Sequence, residues 1–285
     1  MLAIFFASVP TGAAFGYILG GLIGTHLGWR FAFYSVSAPG LLLGLLCFSR
    51  KDSRSEAFNG NPRKPSLTAY FQSVTMLVKK PSYRYNIGAQ VAMVFAGGGL
   101  AYWMPAYLQF RGQPSSATAM FGGIVAFAGL SSTLVGGLLA DRLRSRLRGA
   151  DLLVSGVGML IGFPFLAAML FAPFPYTWIF LFGAVFFIFF NTGPASTAIA
   201  NVSLPSVRVM AFGVGLFVTH ALGDAIAPPL LGFLAGHTDM NTAFLAISVV
   251  MLISGVLWLI GARYLPADMA SVEAAERLEL VTENL

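Results

Sequence analysis

Of the 11 Asp and Glu residues in this 285-residue chain, one lies deep within an apolar run, Asp224. His220 precedes it by four residues, so on a helix the two share one face. A carboxylate in apolar surroundings must be paired, hydrated or neutralised. An imidazole beside it changes charge near neutral pH. The pair can therefore bind or relay a proton, or meet a polar group of a solute. A structural hydrogen bond between helices is the plainer alternative. Gln90, Tyr102, Asn191 and Thr192 add polar atoms to other apolar runs. Asn191 ends the run Phe186–Phe190, and an amide placed there needs a partner. Tyr102 beside Trp103 also fits an interfacial belt. The three histidines, His26, His220 and His237, are scattered, and Cys47 is the single cysteine. These residues make no disulfide framework, cysteine metal site or clustered catalytic acids. No phosphate-binding glycine-lysine loop occurs. Neither metal nor cofactor is expected, and the chain does not read as an enzyme.

The elements that must carry these residues are membrane helices. The chain is 57% hydrophobic and 10% charged, and its mean hydropathy is +0.77. Soluble domains carry about 25% charged residues. A span needs about 20 mostly apolar residues, and eight segments meet that need: Leu2–Gly24, Trp29–Phe48, Asn86–Gln109, Ala117–Ala140, Leu152–Phe171, Tyr176–Ala200, Val209–Gly236 and Thr242–Ala262. The runs are continuous rather than alternating, which excludes a β-barrel. The fold class is all-α, a polytopic membrane protein.

The charges orient it. Fifteen of the 17 Lys and Arg fall on one side: eight in the connector Arg50–Tyr85, four at Arg142, Arg144, Arg146 and Arg148, and three at Arg208, Arg263 and Arg277. Only Arg30 and Arg111 lie opposite. That bias predicts a cytoplasmic connector and cytoplasmic termini. It also accounts for the +6 net charge without a nucleic-acid partner. The predicted organisation is two helices over residues 1–48, a basic linker over 49–85, a six-helix bundle over 86–262 and a tail over 263–285. Within the linker, Leu67, Tyr70, Phe71, Val74, Leu77 and Val78 form an amphipathic stripe suited to a helix at the interface. Gly12, Gly16, Gly20 and Gly24 form a small-residue ladder that admits a neighbouring helix.

Three places should weaken the helices at mid-depth. They are Gly97-Gly98-Gly99, Asn191-Thr192-Gly193-Pro194, and Pro228-Pro229. The first two open the two three-helix halves of the bundle. Interrupted helices at matching positions of two repeats point to a transporter's binding region. Gly and Pro are also simply common in membrane helices.

The loop Gly137-Leu138-Leu139-Ala140-Asp141-Arg142-Leu143-Arg144-Ser145-Arg146 resembles the Gly-x-Leu-Ala-Asp-Arg signature of the major facilitator superfamily. Arg144 stands where a turn glycine is more typical. His220-Ala221-Leu222-Gly223-Asp224-Ala225-Ile226-Ala227-Pro228 is similar to the His-x-x-Gly-Asp-Ala-x-Ser-Pro stretch of Spinster-like transporters. Tyr102-Trp103-Met104-Pro105-Ala106-Tyr107-Leu108 resembles that subgroup's Trp-x-Pro-Ala-Phe-Leu stretch.

The resemblance covers essentially the whole chain and implies a secondary active transporter. It would move an organic, amphipathic or lipid-like solute by alternating access, with proton coupling. The candidate path residues are His220, Asp224, Asn191, Thr192, Tyr102 and Gln90. The gate motif is Gly137, Asp141 and Arg142. Gly97, Gly98, Gly99, Gly193, Pro194, Pro228 and Pro229 are candidate hinges. The implied partners are membrane lipids, the solute and protons, and the implied location is the cell (inner) membrane. Aligned on twelve-span relatives, the chain would supply two helices of the amino half and the complete carboxyl half. The first four helices would be needed for a full cavity. A metabolite or drug efflux carrier of another subgroup and a non-functional fragment remain as alternatives.

Overall fold

The computed structural model describes residues 8–49 and 74–283. Helices α1 (Ser8–His26) and α2 (Trp29–Phe48) come first. After the connector come α3 (Pro81–Phe110), α4 (Ala117–Arg144) and α5 (Ala150–Phe171). The next run is split into α6 (Tyr176–Phe189) and α7 (Thr192–Asn201). The one after it comprises α8 (Arg208–Thr219), a π-turn (His220–Asp224) and α9 (Ala227–His237). Helix α10 (Met240–Glu283) ends the described chain. Among the described residues, seven helical runs are long and apolar enough to cross a membrane. They match seven of the eight expected spans. Helix α1 is not among them, because glycine, serine and threonine dilute its apolar content, and residues 2–7 of the expected span lie outside the described residues.

The linker's amphipathic stripe falls mostly outside the described residues. Residues 74–79 are helical, and Leu77 is buried. The glycine ladder of α1 meets no neighbour, since nothing described approaches Gly12, Gly16, Gly20 or Gly24. Helix α1 instead packs on α4 through other residues. Tyr17 lies edge-on to Phe121, and its hydroxyl donates to the Ala101 carbonyl (2.8 Å).

The bundle is α3 to α10. Helix α10 lies between α3 and α5, and α6 lies between α4 and α5. The core is apolar and tight, with Trp258, Tyr107, Phe121 and Phe244 fully buried. Lipid supplies no hydrophobic drive between helices, so close approach and interhelical hydrogen bonds hold such a bundle. Buried Asn86 is the main polar junction. It donates to the Ala195 carbonyl of α7 (2.9 Å) and accepts from the Trp258 indole of α10 (2.8 Å). Ser254 of α10 donates to the Ala89 carbonyl of α3 (2.8 Å).

Helix ends are closed by side chains from other elements, as unpaired terminal groups require. At the basic end, Asp268 of α10 accepts from both the Ser82 amide (2.9 Å) and the Ser82 hydroxyl (2.5 Å), capping α3. This works because α10 does not stop at Ala262 but continues to Glu283. At the same end, Lys80 donates to the Val202 carbonyl (2.9 Å), and Arg208 donates to the carbonyls of Ala200 and Ser203. Burial pushes the Lys80 ammonium below its ordinary pKa, with Asp268 acting in the opposite direction.

The expected break at Gly97-Gly98-Gly99 does not occur. Helix α3 is continuous from Pro81 to Phe110, through both the triplet and Pro105. Close packing at the triplet holds a stretch that intrinsic propensity would weaken. The α6–α7 break is present, with turn geometry at Phe190 and Asn191. Pro194 has no N–H to pair with the Phe190 carbonyl. Gly136 of α4 lies against that carbonyl, and a Cβ added there would overlap its oxygen.

Gly136→Ala is therefore expected to destabilise the purified protein by about 1–3 kcal/mol, the range for overpacking. Gly123→Ala, at a position with nothing nearby, should leave the melting temperature unchanged or raised. Thermal unfolding in detergent compares the two.

Candidate functional site

The π-turn holds the candidate pair. The Ala225 amide reaches back five residues to the His220 carbonyl (3.0 Å), the wider turn that defines it. Such turns recur at functional positions. Its physical cause follows in the sequence: Pro228 and Pro229 lack the N–H groups that would pair with the carbonyls of Asp224 and Ala225. His220 Nδ1 and Asp224 Oδ2 are 2.5 Å apart. The side chains remain 54% and 42% exposed. The carboxylate is thus paired, backed on one side by protein and open on the other.

The backing is α3. A Cβ on Gly98 would overlap the Asp224 carboxylate, and one on Gly99 would overlap Leu231 of α9. A Cβ on Gly97 would come 3.4 Å from Ile188 of α6. The triplet is therefore where α3 meets both broken helices, not a break itself. From the other side, Gly223 packs on Val91, Val94 and Phe95, and Gly232 packs on the Trp103 ring. The Trp103 indole donates to the Pro228 carbonyl (3.0 Å) beside the interruption. Among the expected path and hinge residues, the structure brings together His220, Asp224, Gly98, Gly99 and Pro228. Pro229 is exposed on α9.

The remaining candidates lie elsewhere. Asn191 is fully buried. Its amide donates to the Ile188 carbonyl (2.9 Å), while Oδ1 has no partner among the described residues. Thr192 donates to the Phe189 carbonyl (2.9 Å). Gly193 and Pro194 are buried in the first turn of α7. Gln90 is half-buried and donates to Asn86 (3.2 Å). Tyr102 is 64% exposed and meets the Trp103 ring edge-on.

In the loop motif, Gly137 is buried, whereas Asp141 and Arg142 are exposed. The residue that organises this loop is Arg144, the departure from the signature. Its guanidinium donates to Asp151 through Nη2 (2.6 Å) and Nε (3.2 Å), and it pairs with Asp141 at 3.1 Å. The Asp151 side chain is 1% exposed and also accepts from Asn201 at 3.4 Å. Asp151 is thus more deeply enclosed than Asp224. The signal for it was the acid seven residues after Arg144, across a short turn. Asn86 and Asp268 were missed because partners on distant helices leave no local spacing. Among the described residues, no group of His, Cys, Asp or Glu could hold a metal ion.

The sequence matches the Major Facilitator Superfamily over residues 1–221. The chain belongs to that superfamily. It is 28% identical over 279 residues to the Probable sphingolipid transporter spinster homolog 2 of Arabidopsis thaliana, covering 91% of this chain and 57% of that protein. It is 26% identical over 308 residues to the Sphingosine-1-phosphate transporter SPNS2 of Mus musculus, covering 96% of this chain and 56% of that protein. The fold resembles a bacterial homolog of the human lysosomal transporter Spinster in an inward-facing, unoccupied conformation. The TM-score is 0.66 at 17% identity, over 94% of this chain and 66% of that one. The chain thus spans little more than half the length of these curated relatives. As a major facilitator protein with seven membrane-capable helical runs, it is an integral, multi-pass membrane protein.

Arg144→Ala leaves the Asp151 carboxylate buried without its cation and should cost about 3 kcal/mol. Arg142→Ala, at an exposed position, should change stability by no more than about 0.5 kcal/mol. Detergent melts of both variants check that Arg144 is the organising arginine.

Proposed function

We propose that this chain forms part of a secondary active transporter that moves an amphipathic, lipid-like solute by alternating access, with protons coupled through His220 and Asp224. The observation carrying this reading is the His220–Asp224 contact of 2.5 Å, set in a π-turn and half-open on one side. A carboxylate paired with an imidazole can exchange a proton near neutral pH, and intramembrane acids of this kind mark ion or substrate paths. The solute class follows from the names of the relatives and from the apolar surroundings of the pair. Because the chain spans 57% of its plant relative, the full cavity in this reading also needs surfaces from further amino-terminal helices.

The breaks at Asn191 and at His220–Asp224 serve as the hinges, each braced by the glycine triplet of α3. Arg144, Asp141 and Asp151 close the gate loop at the basic end. In this reading that end and both termini lie in the cytoplasm and the protein sits in the inner or plasma membrane, a topology that the charge bias supports. The domain limits stay at 1–48, 49–85, 86–262 and 263–285, with the tail helix continuous with the last span.

In proteoliposomes with an imposed proton gradient, Asp224→Asn and His220→Ala are each expected to lower gradient-driven uptake of a lysolipid at least tenfold while exchange without a gradient persists. The comparison is made in a carrier that includes the amino-terminal helices. Unchanged gradient-driven uptake in both variants would remove the proton role.

A further inference from the structure

Helix α1 meets the bundle through Ala13 and Tyr17. They stand four residues apart, hence on one face, and both pack against the apolar core. The Tyr17 ring lies edge-on to Phe121 of α4 at 5.1 Å, and Phe121 is only 1% exposed. The tyrosine hydroxyl then reaches past α4 to α3, where it donates to the Ala101 carbonyl (2.8 Å).

That carbonyl is not an ordinary helical acceptor. Four residues on stands Pro105, inside α3, with no N–H to return to it. Tyr17 thus supplies from another helix the hydrogen bond that α3 cannot make for itself. A backbone acceptor left bare in apolar surroundings is costly. Ala101 lies nine residues before the end of α3 at Phe110, about 14 Å by helical rise, in the part of the helix remote from the basic loops. Two residues later, the Trp103 indole holds α3 to α9 through the Pro228 carbonyl. That bond joins two helices of the six-span bundle. The Tyr17 bond joins the bundle to a helix that precedes the connector.

We propose that Tyr17 is a latch at the end of the carrier opposite the basic loops: its hydroxyl, bonded to the Ala101 carbonyl, holds α1 against α3 and α4 while that end is shut and lets go when it opens. The inference rests on the alternating-access reading above, in which α1 belongs to the amino half and α3 to the carboxyl half. Halves that rock about a central site part at one end as they meet at the other. A hydrogen bond is lost once its atoms separate beyond about 3.5 Å, so this bond exists in one state only. The bared carbonyl is tolerated in the other state because the opened seam fills with water. The latch and the proton pair fail separately. Labelling indifferent to Tyr17 removes only the latch, and unchanged gradient-driven uptake in the His220 and Asp224 variants removes only the proton role.

The test is labelling of Phe121→Cys, beneath the Tyr17 ring, by a water-soluble maleimide. The full chain is used, with Cys47 replaced by serine, in membranes opened to reagent on both sides. Adding Tyr17→Phe, which keeps the ring and removes the hydroxyl, should speed labelling about threefold, the population shift that one interhelical hydrogen bond of ordinary strength in a membrane supports. Pro105→Ala restores the amide that the Ala101 carbonyl lacks. In that background Tyr17→Phe leaves no bare acceptor, and the rate should stay within about 1.5-fold. General loosening would instead speed labelling equally in both backgrounds. If Phe121→Cys does not fold, hydrogen exchange of the α1 amides reads the same opening, with the same dependence on Pro105. Three results would overturn the proposal: opening that does not rise with Tyr17→Phe, an equal rise with and without Pro105, or faster labelling by a lipid-soluble maleimide alone.

Discussion

Two interrupted helices can lie against α3 at one depth only because α3 carries no side chains there. Gly97, Gly98 and Gly99 point to successive directions around the helix, as a 100° step per residue requires. They meet Ile188, Asp224 and Leu231 in turn. Any side chain at Gly98 would take the space of the Asp224 carboxylate. Much of the candidate site follows from this contact. It fixes the acid on the helix surface, leaves its other side open, and sets the α8–α9 interruption against a continuous support. The Trp103–Pro228 hydrogen bond then ties that support to the backbone beside the interruption.

The pattern is one of rigid and yielding partners. Helix α3 contains the glycine triplet and an internal proline, yet it is continuous, with close packing at Gly97, Gly98 and Gly99. The α6–α7 and α8–α9 runs contain prolines whose missing N–H groups free the carbonyls four residues before them. Each freed region is met by an element that comes unusually close: Gly136 lies on the Phe190 carbonyl, and Trp103 donates to Pro228. Breaks of this kind survive in a membrane only where neighbouring protein covers the backbone or where it lines a water-filled cavity. In the proposed transport cycle, these are the joints that bend, and the α3–α5–α10 packing is the body they bend against.

Much of this was legible in the sequence. Seven spans, the Asn191 and Pro228-Pro229 interruptions, the His220–Asp224 face and the superfamily all follow from apolar run length, proline position, four-residue spacing and the Asp141-Arg142 loop. Gly97–Gly99 was misjudged because intrinsic helix propensity was set above packing, which outweighs it in a crowded bundle. Asn86, Asp151 and Asp268 were not legible as hubs, since their partners lie on other helices. Arg144 looked like a flaw in a motif and is the residue that pairs with the buried acid. The continuation of α10 past the membrane length was hidden for a similar reason. Its stabilising contact, Asp268 capping α3, lies 186 residues away along the chain.

The central claim is that the His220–Asp224 face looks into water and not into lipid. With Cys47, the lone native cysteine, replaced by serine, the most direct measurement is labelling of Asp224→Cys in native membranes by a water-soluble maleimide. Leu222→Cys, on a different face of the same π-turn, is the comparison. The account predicts rapid modification at 224 and at least tenfold slower modification at 222. Equal resistance at both positions, with labelling at 224 only by a lipid-soluble reagent, would contradict it.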